Sequence, residues 1–207
     1  MKCLCKRLVY LLWSLIPPMG CYAQEGAFPE QIEVFYDDYL DYYMNKINNN
    51  NKTNTNMAYK ISKNFTLEEM YSSASAQRYG INNTPSADIQ RHLVELVSNI
   101  LQPLRDAWGD SIRVTSGYRC QELNKKVGGS STSAHVSGYA ADLQPTNGNI
   151  TEFKAFVMNF LKDKNFDQYI NEFSGNSQWV HIGIRNREGK QRKQYLMYKN
   201  GKYTTIK

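Results

Sequence analysis

Two histidines and an aspartate stand at spacings that suit a shared metal ion. The stretch Ser133-Ala-His135-Val-Ser-Gly138-Tyr-Ala140-Ala141-Asp142 offers an imidazole and a carboxylate separated by a glycine turn and two small residues. A second imidazole comes from Trp179-Val-His181-Ile-Gly-Ile184, and no fourth protein ligand accompanies these three. Catalytic zinc is usually held by three protein ligands with one position open, whereas structural zinc is closed by four, often including Cys. His135, Asp142 and His181 are therefore candidate ligands for one Zn2+ per chain.

Other polar residues near this set have two readings each. Arg119, in Ser116-Gly-Tyr-Arg119, stands just beyond a strand end; it is either a surface salt-bridge partner or a guanidinium aimed at a substrate oxygen. Ser133 is either a substrate contact or a turn residue bonding its own backbone. Cys120 follows the same turn with no His near it in sequence, which speaks against a thiol nucleophile. His92 lies beside the apolar stripe of a helix and reads as a surface or core-edge histidine.

The chain of 207 residues allows one domain with a real core and a smaller attachment, not comfortably two domains. Residues 1–23 carry Lys2, Lys6 and Arg7, an apolar run from Leu8 to Ile16, Pro17-Pro18 and a small-residue stretch ending at Ala23. This pattern predicts an export signal cleaved after Ala23, with lipid attachment at Cys21 as the alternative, and hence a periplasmic, extracellular or membrane-anchored protein. The run is too short and too soon broken by proline to span a bilayer, so no transmembrane span is expected in the mature chain. Losing three basic residues and no acidic ones lowers the formal charge from +6 to +3. Before the C-terminal tail no Lys/Arg cluster is interleaved with aromatics, so composition does not point to nucleic acid. Cys120 is the one thiol outside this segment, and no disulfide framework can be read.

Residues 24–47 contain Ile32, Phe35, Tyr36, Tyr39, Leu40, Tyr43 and Ile47 at three- and four-residue steps, which predicts an amphipathic helical extension. The Asn-rich residues 48–58 read as a linker. The domain proper begins near Tyr59 and runs to 207. Thr66 and Glu69 make a capping-box pattern opening a short helix to about Ser73. Ile89 through Leu104 predict a core helix that stops at Trp108-Gly109. Ser111 to Thr115 reads as a strand, Gln121 to Val127 as one or two helical turns, and Gly128 to Ser133 as a flexible loop delivering His135. A helix is expected around Thr151 to Leu161, and Asn200-Gly201 between short apolar runs predicts a hairpin.

Taken together, Ser-Gly-Tyr-Arg119, Leu123-Asn124, Val127-Gly-Gly129, Ser133-x-His135-x-x-Gly138-x-Ala140-Ala141-Asp142 and Trp179-Val-His181 closely resemble the zinc D-alanyl-D-alanine carboxypeptidase-like peptidases. Those enzymes share their metal-site architecture with hedgehog signalling domains and lysostaphin-type endopeptidases. The resemblance runs from about Lys60 to Lys202. It implies a small α+β domain in which an antiparallel sheet with flanking helices carries the site. It also implies that His135, Asp142 and His181 bind zinc, that Arg119 and Ser133 contact substrate, and that the substrate is peptidoglycan or its stem peptides.

Many members of that family carry Glu a few residues before the last ligand, and three residues before it here stands Gln178, a neutral amide that cannot take a proton. Strand alternation places Trp179, His181 and Gly183 on one face and puts Gln178 on the other. With Phe166 to Phe173 as the preceding strand and Ser174 to Ser177 as a four-residue hairpin loop, Phe173 faces Gln178, Glu172 faces Trp179 and Ile170 faces His181. Glu172 then shares the face of His181, on its diagonal, at roughly 7–8 Å between backbone positions. Glu172 is the expected base and Arg119 the expected oxyanion partner, with Trp179 lining the substrate side. The alternative is a zinc-containing wall- or protein-binding module without turnover, for which Gln178 is the main argument.

Overall fold

Alternation and capping decide where the elements lie in the computed structural model, which describes residues 59–206. The expected signal (1–23), helical extension (24–47) and linker (48–58) fall outside the described residues. The capping box forms: Thr66 Oγ1 accepts from the Glu69 N–H at 3.3 Å, and the Glu69 carboxylate accepts from the Thr66 N–H at 2.9 Å. It opens only a single 3-10 turn, Glu68–Met70, and the chain then restarts as α1 (Ala74–Tyr79), capped by Ser73. The core helix begins with Ser86 as N-cap of α2 (Ala87–Leu96), widens into a π turn at Val97–Leu101, and resumes as α3 (Gln102–Trp108). Pro103 explains the widening, because it has no N–H for the Asn99 carbonyl four residues back. Gly109, at φ +78°, ends the helix where expected.

The strands are β1 (Ile112–Ser116), β2 (Ala140–Pro145), β3 (Gln168–Ser174), β4 (Ser177–Gly183), β5 (Gln194–Lys199) and β6 (Lys202–Thr205). They form one sheet in the order β1-β2-β4-β3-β5-β6. Between β1 and β2 lies α4 (Gln121–Lys126), capped by the Cys120 sulfur; α5 (Ile150–Phe160), capped by Asn149, follows β2. The α+β class and the flanking helices are as expected. The sheet, however, is mixed and not wholly antiparallel, because β5 pairs parallel to β3.

Asp167 accounts for that pairing. Its carboxylate, fully buried, accepts two bonds from the Arg192 guanidinium at 2.6 and 2.7 Å and one from the Arg192 N–H at 3.2 Å. Its carbonyl accepts from the Gln194 N–H, and its own N–H donates to Gly183. The segment after β4 is thereby turned past the start of β3, and β5 is laid on β3's free edge. The Asn200-Gly201 hairpin forms as read, with both residues at positive φ.

The apolar face of the sheet packs on α2, the π turn, α3 and α5. Leu143, Val180, Ile182 and Tyr169 from the strands meet Leu93, Leu96, Ile100, Leu104, Phe153 and Val157 from the helices, all 0–1% exposed. Burial of this size, at roughly 25 cal/mol per Å2, is what fixes the register of β2, β3 and β4. Among the described residues no helix is long and apolar enough to cross a membrane.

Candidate metal centre

On the opposite face of those strands, Asp142 on β2 pairs in register with His181 on β4. His135 comes from a 3-10 turn, Ala134–Ser137, which Ser133 precedes and Gly138 ends at φ +72°. The three inward atoms form a nearly equilateral triangle. His135 Nε2 lies 3.2 Å from Asp142 Oδ1 and 3.1 Å from His181 Nδ1, and His181 Nδ1 lies 3.0 Å from Asp142 Oδ1. All three residues are buried, at 1%, 8% and 6% exposure for His135, Asp142 and His181.

The protons decide what this cluster is for. His135 Nδ1 donates to the Gly117 carbonyl at 2.6 Å, so its Nε2 lone pair points into the triangle. Burial lowers the His135 pKa, only partly opposed by Asp142, so the ring is neutral. Burial pushes the Asp142 carboxyl up, but the two imidazoles set against its Oδ1 outweigh it and hold the group well below the usual carboxylate range. Two imidazoles and an ionised carboxylate thus turn three acceptor atoms on one point with at most one proton among them. Without a cation such an arrangement is costly in a buried site. With metal–ligand distances of about 2.0–2.1 Å, neighbouring ligands of a tetrahedral site lie roughly 3.3 Å apart, close to the separations here. The group fits a divalent cation, and among the described residues it is the metal-binding cluster that stands out.

Positioning comes from residues that brace the turn before Arg119 and the turn that carries His135. A Cβ at Gly117 would lie 2.0 Å from the Met70 carbonyl, so only glycine lets this turn approach the 3-10 turn that the capping box opens. The Tyr118 N–H then donates to Met70 at 2.6 Å. Asn83, 7% exposed, clamps the same turn: its amide donates to the Tyr71 and Tyr118 carbonyls and its oxygen accepts from the Cys120 N–H. In sequence Asn82-Asn83-Thr84-Pro85 suggests only a turn. His92 is structural, as read, and it braces the site from behind, stacking on Tyr139 at 4.1 Å and bonding the Ser137 carbonyl at 2.8 Å.

The β3–β4 register is the expected one: Phe173 faces Gln178, Glu172 faces Trp179 and Ile170 faces His181. The loop is tighter than expected, because Ser174 and Ser177 pair with each other and only Gly175-Asn176 turn. Glu172 is half-buried on the metal face. Burial raises its pKa and so does Asp142, while His181, Arg119 and the Trp179 indole favour its charged form. The Trp179 N–H is buried near Glu172 without closing a hydrogen bond of ordinary geometry. Arg119 reaches to 3.8 Å from Asp142 Oδ2, the oxygen outside the triangle, and its buried Nε has no partner. Ser133 makes no side-chain capping bond on its 3-10 turn, two residues before His135. Gln178 points to the helix face, where its amide oxygen accepts from Lys154 at 2.8 Å.

The sequence model of the family described as peptidase M15 matches residues 63–183, more than half of the chain and every residue of the triangle. The chain belongs to the peptidase M15 family. It is a metallopeptidase, and the kinship to zinc D-alanyl-D-alanine carboxypeptidase-like enzymes read from its motifs holds. The match ends with β4, and β5 and β6 lie beyond the matched residues. No curated protein matches the sequence.

Proposed function

We infer that this M15 peptidase hydrolyses peptide bonds in peptidoglycan stem peptides with a zinc ion held by His135, Asp142 and His181. The observation that carries the reading is the triangle of inward N, N and O atoms at 3.0–3.2 Å, with a half-buried Glu172 on the same sheet face. Zinc bound there supplies Lewis acidity at the position the three ligands leave open.

The remaining chemistry belongs to the chain. Glu172, with a carboxyl raised toward neutrality by burial, accepts a proton from the attacking water at a carboxylate oxygen and returns it to the leaving amine. Arg119, whose terminal nitrogen lies 3.8 Å from Asp142, offers its guanidinium to the charge that develops on the scissile carbonyl oxygen. The Trp179 indole and the Ser133 hydroxyl line the approach and orient the peptide. A non-hydrolytic binding module drew its support from Gln178, and that residue serves Lys154 on the other face. The export-signal pattern of residues 1–23 supports a substrate outside the cytoplasm, as a wall peptide would be.

The test is digestion of purified peptidoglycan by the zinc-loaded protein and by Glu172→Gln, with released products identified by mass. The parent is expected to release amino acid or peptide, and the variant to retain metal and release none. Equal release by both, or none by the parent, contradicts the proposal.

A further inference from the structure

The metal-bearing face extends beyond the metal ligands. Side chains on one face recur every second residue, and register carries that face from strand to strand. From Trp179 the row runs outward through Glu172 on β3, Tyr198 on β5 and Tyr203 on β6. In the other direction Gln144 lies two residues past Asp142 on β2, and Arg113 of β1 is its register partner. One row beside the metal ligands therefore has an aromatic pair at one end and a guanidinium at the other.

The guanidinium end is a built pocket. The exposed Arg113 donates to Gln144 Oε1 at 2.6 Å, and Gln144 Nε2 donates to the Gln178 carbonyl at 2.7 Å. Both side chains thus lean toward the β3–β4 turn and away from His181. They border a concavity of about 460 Å3 at the end of the sheet beside the start of α5, large enough for an amino-acid side chain, with Pro145, Thr146, Ile150, Asn176, Ser177 and Gln178 around it. Of the described residues that line it, Arg113 alone carries a charge, and among the described residues no carboxylate pairs with it. Gln144 holds the guanidinium by one nitrogen and leaves the rest of its donor fork open, a shape matched to a carboxylate.

We propose that this pocket binds an internal carboxylate of the peptide substrate, with Arg113 as its anchor and Gln144 as the residue that orients Arg113. The distance selects which carboxylate. Arg113 stands two strands over and two residues along from His181, roughly 12 Å at strand spacing and rise. An extended peptide covers about 3.3–3.6 Å per residue. The bound group is then about three residues from the bond being cut, too far for the terminal carboxylate of a single released amino acid. It belongs to an acidic residue inside the stem peptide. This rests on the peptidase reading and gives that activity a specificity determinant.

Three synthetic stem peptides separate the possibilities: one with the internal carboxyl free, one with it as carboxamide, and one with only the C-terminus amidated. The zinc-loaded full chain is expected to prefer the free carboxyl over its carboxamide by roughly tenfold or more in kcat/KM, chiefly through KM, and to keep that preference when the C-terminus is amidated. Arg113→Gln, at an exposed position of the edge strand β1, collapses the preference to within about twofold, and Arg113→Lys restores part of it. No discrimination by the parent, a preference that follows the C-terminus, or an unchanged ratio in Arg113→Gln overturns the proposal. Calorimetric binding of the same peptides keeps the two questions apart. If nothing is cleaved, the peptidase reading falls, and tighter binding of the free carboxyl lost in Arg113→Gln still supports the pocket, while equal binding overturns it.

Discussion

The two faces of β4 and its neighbours are built to opposite rules. On one, Val180, Ile182, Leu143 and Tyr169 are fully buried against helices, and their sum of apolar contacts sets the positions of the strands. On the other, Asp142, His181 and the incoming His135 are nearly as buried, yet they are polar groups turned on one another. The first face stabilises the fold whether or not a ligand is present. The second is costly until a cation satisfies it, and it is tolerable because the first face has already placed the backbone. One strand pairing thus supplies stability and reactivity from alternate residues.

The widest separation of the two faces comes from His181→Ala. Metal binding and peptidase activity should fall to background, while thermal unfolding of the metal-free protein stays level or rises, because a buried polar group without its cation is gone; calorimetry and metal analysis check both. Leu143→Ala should do the reverse. It costs about 2–5 kcal/mol in urea unfolding, with the folded fraction keeping its turnover. Gln178→Glu sharpens the boundary between the faces: activity should change less than about twofold, since the residue faces Lys154, and a large gain or loss in a stem-peptide assay would place it at the metal after all. The smallest effect is expected from Glu69→Ala, about 1 kcal/mol or roughly 2–4 °C in Tm. Because the capping box opens the turn that supports Gly117, a slight weakening of metal affinity should accompany it.

The sequence disclosed those parts that depend on short-range periodicity. Alternation in Trp179 to Ile184, followed back through a tight turn, was enough to put Glu172 on the metal face and Gln178 behind it. Gly109 likewise marked the end of α3. What stayed hidden depends on contacts distant in sequence. Asn83 and Met70 support His135 through backbone groups of residues 117–120, and a backbone carbonyl has no signature in residue type. The parallel seating of β5 hangs on Asp167 meeting Arg192 across a loop, a pairing that no local pattern announces. The π turn required weighing Pro103 against an apolar stripe that ran straight through it.

The measurement closest to the central claim is metal stoichiometry of the purified chain, taken with peptidase activity before chelation, after it and after zinc is returned. One equivalent of metal per chain is predicted, lost in His135→Ala and His181→Ala, retained in Glu172→Gln, with activity following the metal only where Glu172 is present. A chain that holds no stoichiometric metal, or that keeps it when both histidines are replaced, would contradict the assignment of His135, Asp142 and His181.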